Sequence, residues 1–200
     1  LKNCFLNNFE RGIYLTYSDN NILTNNTAYN NSYGIWVTYS DNNILTNNTL
    51  YNNSNRGIYV YWSDNNTLTN NTAYNNGIGI YLWSSESTLV GNNDVHDNYY
   101  GIYAAFYGTY NPNISTDNTI WGNLFYNNQD NSYASKFNNW NLGNIGNFWD
   151  DFEDNSGYPT HYNIVGGGNG VDWHPNGLEG TYGCTNFNST NYNSSAIIDD

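Results

Sequence analysis

The chain has 200 residues, enough for one domain of ordinary size, with 4 Lys and Arg against 17 Asp and Glu and a net charge of −13. Phosphate recognition needs clustered basic side chains, so this balance argues against nucleic acid and anionic membrane as partners. No run approaches 18 apolar residues, so no membrane insertion is expected, and no signal peptide is legible.

Leu1 to Arg11 already matches the second half of a repeat unit, which points to a mature or trimmed piece of a longer precursor. The repeat itself is marked by Gly12-Ile13, Gly34-Ile35, Gly57-Ile58, Gly79-Ile80 and Gly101-Ile102, a period of about 22 residues. Such a period signals a solenoid, in which no coil buries its apolar face alone. Each unit carries three short apolar runs separated by Asn, Ser, Asp and Gly, as in RGIYLTYSDNNILTNNTAYNN. These runs are too short for helices and their punctuation is turn chemistry, so three short strands per coil are expected. A fifth unit begins GIYAAF, is interrupted by an insertion at about 107–117, and resumes as DNTIWGNLFYNN.

Period-2 alternation sends Ile13 and Leu15 inward and Tyr14 outward. Four interior columns follow. They are Ile13, Ile35, Ile58, Ile80, Ile102; then Leu15, Val37, Val60, Leu82, Ala104; then Leu23, Leu45, Leu68, Leu89, Ile120; then Leu6, Ala28, Leu50, Ala73, Val95, Phe125. Asn26, Asn48, Asn71, Asn92 and Asn123 are assigned to one further repeat position, where stacked amides hydrogen-bond along the axis. Asn also tolerates the left-handed backbone of tight corners. The expected fold is an all-β, right-handed parallel β-helix of five to six coils over 1–139, a cap over 140–175 and a polar tail over 176–200.

The G-I-x-L-x-x-S-x-N-N-x-L-x-x-N unit over about residues 1 to 128 resembles the pectin-lyase-like parallel β-helices, specifically the NosD-type repeat family. The resemblance extends to Gly146–Phe152, Tyr162–Ile164 and Gly168–Pro175, which look like the aromatic, glycine-rich segment closing many of these helices. It implies a place among secreted and surface proteins, which in this family are abundant in methanogenic archaea. Fold alone does not fix function.

Several residue sets are candidates for function. The outward column Tyr14, Trp36, Tyr59, Tyr81, Tyr103, with Tyr17, Tyr39, Trp62 and Phe106 near it, fits glycan stacking, subunit packing or plain stabilisation of the sheet face. A second column, Tyr29, Tyr51, Tyr74, His96 and Tyr126, is open to the same readings. Asp150, Asp151, Glu153 and Asp154 form the densest set of hard oxygen ligands, with calcium as the candidate ion and a solvated acidic loop as the alternative. His96, His161 and His174 are dispersed, and the chain has no Met, a poor donor set for a transition metal. Cys4 and Cys184 are placed to pair within the chain or between subunits, or stay unpaired. The sequons at Asn113, Asn188 and Asn193 lie in the insertion and tail, where glycosylation has access.

Catalysis is not expected. The acids Asp19, Asp41 and Asp64 stack at one repeat position instead of converging, as a glycosidase pair must. The reading that follows is a non-catalytic, extracellular structural protein of an archaeal cell envelope: a surface-layer, sheath or filament subunit that self-associates through coil ends or faces. It has no cofactor beyond calcium. The alternative is a carbohydrate-binding or polysaccharide-processing module, and a metal-accessory role comes third.

Overall fold

The computed structural model describes residues 1–105, 115–168 and 170–176. It is a parallel β-solenoid of about six turns, built as three parallel sheets that run its length. One sheet holds the longer strands Arg11–Thr16, Tyr33–Thr38, Arg56–Tyr61, Ile78–Trp83, Tyr100–Ala104 and Asp130–Ala134. The second stacks Ile22–Thr24, Ile44–Thr46, Thr67–Thr69, Leu89–Gly91 and Thr119–Trp121. The third begins with Phe5–Asn7 and Thr27–Tyr29 and ends with Leu124–Tyr126 and Phe148–Trp149.

Register places like upon like. Ile13 pairs with Ile35, Ile35 with Ile58 and Ile80 with Ile102. The expected interior columns are buried, apart from the partly buried Leu6 and Leu15 of the first coil, with two corrections. Leu89 faces outward at 44 % exposure, and Val90 takes the interior place between Leu68 and Ile120. Asn93, not Asn92, continues the amide column below Asn71. Both shifts arise in SSESTLVGNN, where the leucine stands one residue ahead of the interior register. Alternation, not apolarity, decides which of two adjacent aliphatic residues goes inside.

The polar interior is a set of ladders. Oδ1 of Asn48 accepts both the backbone N–H (3.0 Å) and the amide of Asn26 (2.9 Å). Nδ2 of Asn48 donates to Leu23 O and to Asn71 Oδ1, each at 3.0 Å. The pattern runs on through Asn71, Asn93, Asn123 and Asn147. Two ladders were not anticipated. One is Asn31, Asn53, Asn76, Asn98, Asn128, and another begins with Asn21, Asn43, Asn66 and ends with Asn118, Asn138. Beside each ladder an Asn turns the corner with positive φ, as at Asn25 (54°), Asn47 (56°) and Asn70 (55°). Gly34 is glycine because a Cβ there would stand 2.6 Å from Gly57 O and 3.0 Å from the Asn53 amide.

The far end is closed by Trp140, Trp149, Phe152, Tyr162 and Ile164, all buried. Trp149 stacks on Phe125 at 4.7 Å and on Tyr162 at 4.1 Å, extending the fourth apolar column into the cap. A short antiparallel pair, Tyr162–Asn163 with Val171–Asp172, crosses the end of the coils.

Asn48→Ala strips the partner of two Asn26 donors and of Leu23 O inside the protein, a loss of about 3–4 kcal/mol. Urea denaturation is expected to show a clearly lower midpoint. Asn47→Gly, one residue away at a left-handed corner, is expected to shift the midpoint by no more than about 0.5 kcal/mol equivalent.

Candidate functional site

On the outer face of the long-strand sheet the aromatic column is largely covered. Tyr14 is 43 % exposed and Trp36 partly so, but Tyr59, Tyr81 and Tyr103 are only 6 %, 3 % and 7 % exposed. The guanidinium of Arg11 lies 4.5 Å over Tyr14 and 4.4 Å over Trp36. That of Arg56 lies 4.5 Å over Tyr59 and 4.7 Å over Tyr81, and its Nη1 donates to Tyr33 Oη at 3.2 Å. Burial pushes the Tyr59 hydroxyl well above its ordinary pKa, against the pull of Arg56. Of the three readings of this column, stabilisation of the sheet face fits Tyr59, Tyr81 and Tyr103, and only Tyr14 and Trp36 retain accessible ring surface.

The second aromatic column is a face-to-face stack. Tyr29–Tyr51 and Tyr51–Tyr74 are 5.0 Å apart, Tyr74–His96 5.1 Å and His96–Tyr126 4.6 Å, with interplanar angles of 2–12°. Stacked rings turn only edges outward along the column. A sugar needs a free ring face, so this column is not a sugar platform. Tyr17 and Tyr39 at the corner stack likewise, 5.2 Å apart, with backbone φ of 47° and 49°. Phe106 lies outside the described residues.

One coil breaks the repeat where TAYNN becomes DVHDN. There His96 Nδ1 lies 2.7 Å from Asp97 Oδ2. Asp94 is raised above the usual carboxylate range by burial, opposed by His96 and by the Tyr126 hydroxyl. Tyr126 is pushed up to about 12, by burial first and Asp94 second. The departure from the repeat at four adjacent positions, Asp94 to Asp97, was the signal for this cluster, which reading His96 alone overlooked.

The acidic segment proves to be a ladder terminus. Asn128 donates to Asn131 at 3.0 Å, and the Asn131 amide donates to Asp150 Oδ1 at 2.7 Å and Asp151 Oδ1 at 2.8 Å. Asp150 also accepts the Asn127 N–H at 2.6 Å, and Asp151 accepts the Tyr162 hydroxyl at 3.0 Å. Phe152 turns inward between them, leaving Glu153 and Asp154 exposed on the far side. Asp150 and Asp151 meet on the Asn131 amide while Glu153 and Asp154 lie exposed, so the four do not converge as one set, and among the described residues no three His, Cys, Asp or Glu side chains gather as a metal-holding group. Cys4 carries a free thiol, its Sγ 3.5 Å from Lys2 O. Cys184, Asn113, Asn188 and Asn193 lie outside the described residues.

The cap holds a feature the sequence reading missed. A cleft of about 300 Å³ is lined by Phe137, Asn138, Asn139, Trp140, Asn141, Val171 and Trp173. Phe137 and Trp173 are 58 % and 60 % exposed, while Trp140 is fully buried and its Nε1 has no hydrogen-bond partner among the described residues. One wall is fixed by Asn138, which ends the third ladder by accepting from Asn118 at 2.9 Å and donating to Lys136 O at 3.1 Å. The other wall is fixed by Asp172. Its buried carboxylate accepts from Asn147 N (2.7 Å), Asn147 Nδ2 (3.2 Å), Trp149 Nε1 (3.0 Å) and His174 N (3.0 Å).

A family model described as "Periplasmic copper-binding protein (NosD)" matches residues 1–154, and the chain belongs to this family. No curated protein matches the chain. Copper is named for the family, and this chain's donors can be set against it. Its three histidines are His96, His161 and His174, the Nδ1 of His96 is engaged by Asp97 and that of His161 by Thr160 at 2.8 Å, and Met is lacking. Such a donor set does not fit a resident copper centre built from clustered His, Cys and Met.

Burial raises the pKa of Asp64, Glu86, Asp94, Asp151 and Asp172. Between the ordinary carboxylate range and these raised values the folded state binds more protons than the unfolded state, so stability falls as pH rises through that window. Thermal melts are expected to show a higher Tm near about pH 5 than near about pH 7.5, and Asp151→Asn to flatten part of that slope.

Proposed function

We propose that this chain is a non-catalytic structural module of the cell envelope, of the surface-layer, sheath or filament kind, that associates with further copies through its coil ends or faces. The observation that carries the reading is that the repeated side chains of each face are engaged by the neighbouring coil. Asp19 Oδ1 accepts Asp41 N at 2.7 Å, Asp41 Oδ1 accepts Asp64 N at 2.7 Å, and Asp64 Oδ1 accepts Glu86 N at 2.8 Å. Guanidiniums sit on rings and rings on rings in the same way. Carboxylates held one per coil on backbone amides stack along the axis and do not form the converging pair that glycoside hydrolysis requires. A rod with its polar groups satisfied coil by coil is stiff, which suits a spacer or lattice element.

Location outside the cytoplasm is supported by the periplasmic description of the family and by the resemblance to archaeal surface proteins. The strands Phe5–Asn7 and Arg11–Thr16 form the outer edge of two of the sheets, while Leu1 to Asn3 pair onto Ile22–Thr24 at the third. Phe5 is 78 % exposed at this edge. A second copy laid on this edge continues the ladders of hydrogen bonds.

Light scattering on the full chain, from about 1 to 100 μM, tests this directly. The expected result is a mass that rises with concentration, and a shift toward monomer in Phe5→Lys, which places a charge on the edge. A monomer at every concentration overturns the assembly reading. Release of reducing ends from a polysaccharide overturns the non-catalytic reading, and stoichiometric, tight Cu(II) uptake turns it toward an accessory role.

A further inference from the structure

In the cap cleft, exposed aromatic rings line a concave surface. Large apolar side chains left in water at one concave place mark a binding surface more often than they mark chance. Phe137 and Trp173 both line the cleft, 58 % and 60 % exposed. Trp140 and Val171 complete the apolar lining, and the exposed Asn139 lies at the same cleft.

Both walls are held by buried polar anchors, which makes the cleft preorganised. The segment carrying Phe137 and Asn139 is laid against the coil above it through Asn139 N to Asn118 O (2.8 Å) and Ile120 N to Asn139 O (2.7 Å). The segment carrying Val171 and Trp173 is pinned by the fully buried Asp172. Trp173 is further braced by the His161 ring, 5.1 Å away. Rigid walls spare a ligand the entropy of ordering them.

Charge selects the ligand class. None of the seven lining residues is charged, in a chain whose net charge is −13. An anion meets the repulsive field of the whole molecule. A cation finds no carboxylate among the lining residues to pair with. A neutral, ring-shaped ligand with an apolar C–H face and hydroxyls at its rim matches both the aromatic walls and the amide chemistry. About 300 Å³ lies at the small end of ligand pockets, which suits a ligand of one or two rings.

We propose that the cap cleft lined by Phe137 and Trp173 binds neutral saccharide units, with Trp173 as the main stacking surface, Phe137 as the second ring and the Asn139 side chain hydrogen-bonding ring hydroxyls. The site is distinct from the repeat faces and independent of whether copies self-associate. It gives an envelope module a means of gripping a neutral glycan at its closed end.

The test uses the full chain with two probes, cellobiose and N,N′-diacetylchitobiose, followed by saturation-transfer NMR and by intrinsic tryptophan fluorescence. Weak binding with a dissociation constant near about 1 mM is expected for at least one of them. Trp173→Ala is expected to weaken it at least about tenfold and Phe137→Ala by a smaller factor. Both residues are exposed, so unchanged melting curves will show that the variants fold. Tyr17→Ala, an exposed ring on the corner stack, is expected to leave binding unchanged, and digalacturonate is expected to bind more weakly than either neutral disaccharide. No saturation transfer from either neutral sugar at about 10 mM overturns the proposal. So does binding that survives Trp173→Ala, or binding that is lost equally in Tyr17→Ala.

Discussion

The asparagine ladder is the constraint on which the rest of this molecule depends. A parallel coil of about 22 residues must turn three corners, and each corner strands backbone donors and acceptors where no strand pairs them. An inward Asn amide has one acceptor and one double donor, and here both are used along the axis. Asn71 takes the Asn48 N–H and amide from one side and gives its own amide to Leu45 O and Asn93 Oδ1. Because each amide serves its neighbours above and below, the coil height, the register and the glycine at the close approach of Gly34 all follow from it. Asp fails at such a position because it has no N–H to pass on, and Gln is too long for the spacing.

A ladder of this kind must also stop, and the stopping explains the acidic residues near the cap. The terminal member needs to accept without donating further. A carboxylate does that, and two of the three ladders end on carboxylates: one on Asp172, the other on Asp150 and Asp151 by way of Asn131. The third ends on a main-chain carbonyl through Asn138. Of the cluster that reads as hard oxygen ligands in sequence, Asp150 and Asp151 together end one ladder on the Asn131 amide, and Glu153 and Asp154 lie exposed beside them. Burial of the acceptors raises the pKa of Asp151 and Asp172.

Much of the fold was legible because repetition averages over local ambiguity. Gly-Ile recurring five times fixed the coil length, and alternation around Ile13 and Leu15 placed the interior columns. Where the unit departs from its own consensus, that advantage disappeared. In that coil Leu89 and Asn92 match their columns by residue type, while Val90 and Asn93 match by count, and the count decides the register. The aromatic face was readable as a column but not as a covered one. Whether Tyr59 is a platform or a packed ring depends on where the Arg56 guanidinium lies, and period-2 alternation gives Arg56 the parity of Ile58, not that of the ring it covers. The cap cleft carried the weakest signal of all, since Phe137 and Trp173 are 36 residues apart in irregular segments and meet only because Asn138 and Asp172 anchor their backbones.

Symmetry argues for where chemistry is to be sought. Along the coils most positions have a counterpart in the next coil, so rings stack on rings and carboxylates accept from the neighbouring coil's amides. Stacked Tyr29, Tyr51 and Tyr74 present only edges for that reason. At the end of the stack the copies run out. Trp173 and Phe137 have no equivalent ring one coil further on, and so retain the faces that the repeat elsewhere consumes. A solenoid that engages its own side chains coil by coil leaves recognition to the positions where the period ends, and in this chain the ladder terminators are what hold those positions still.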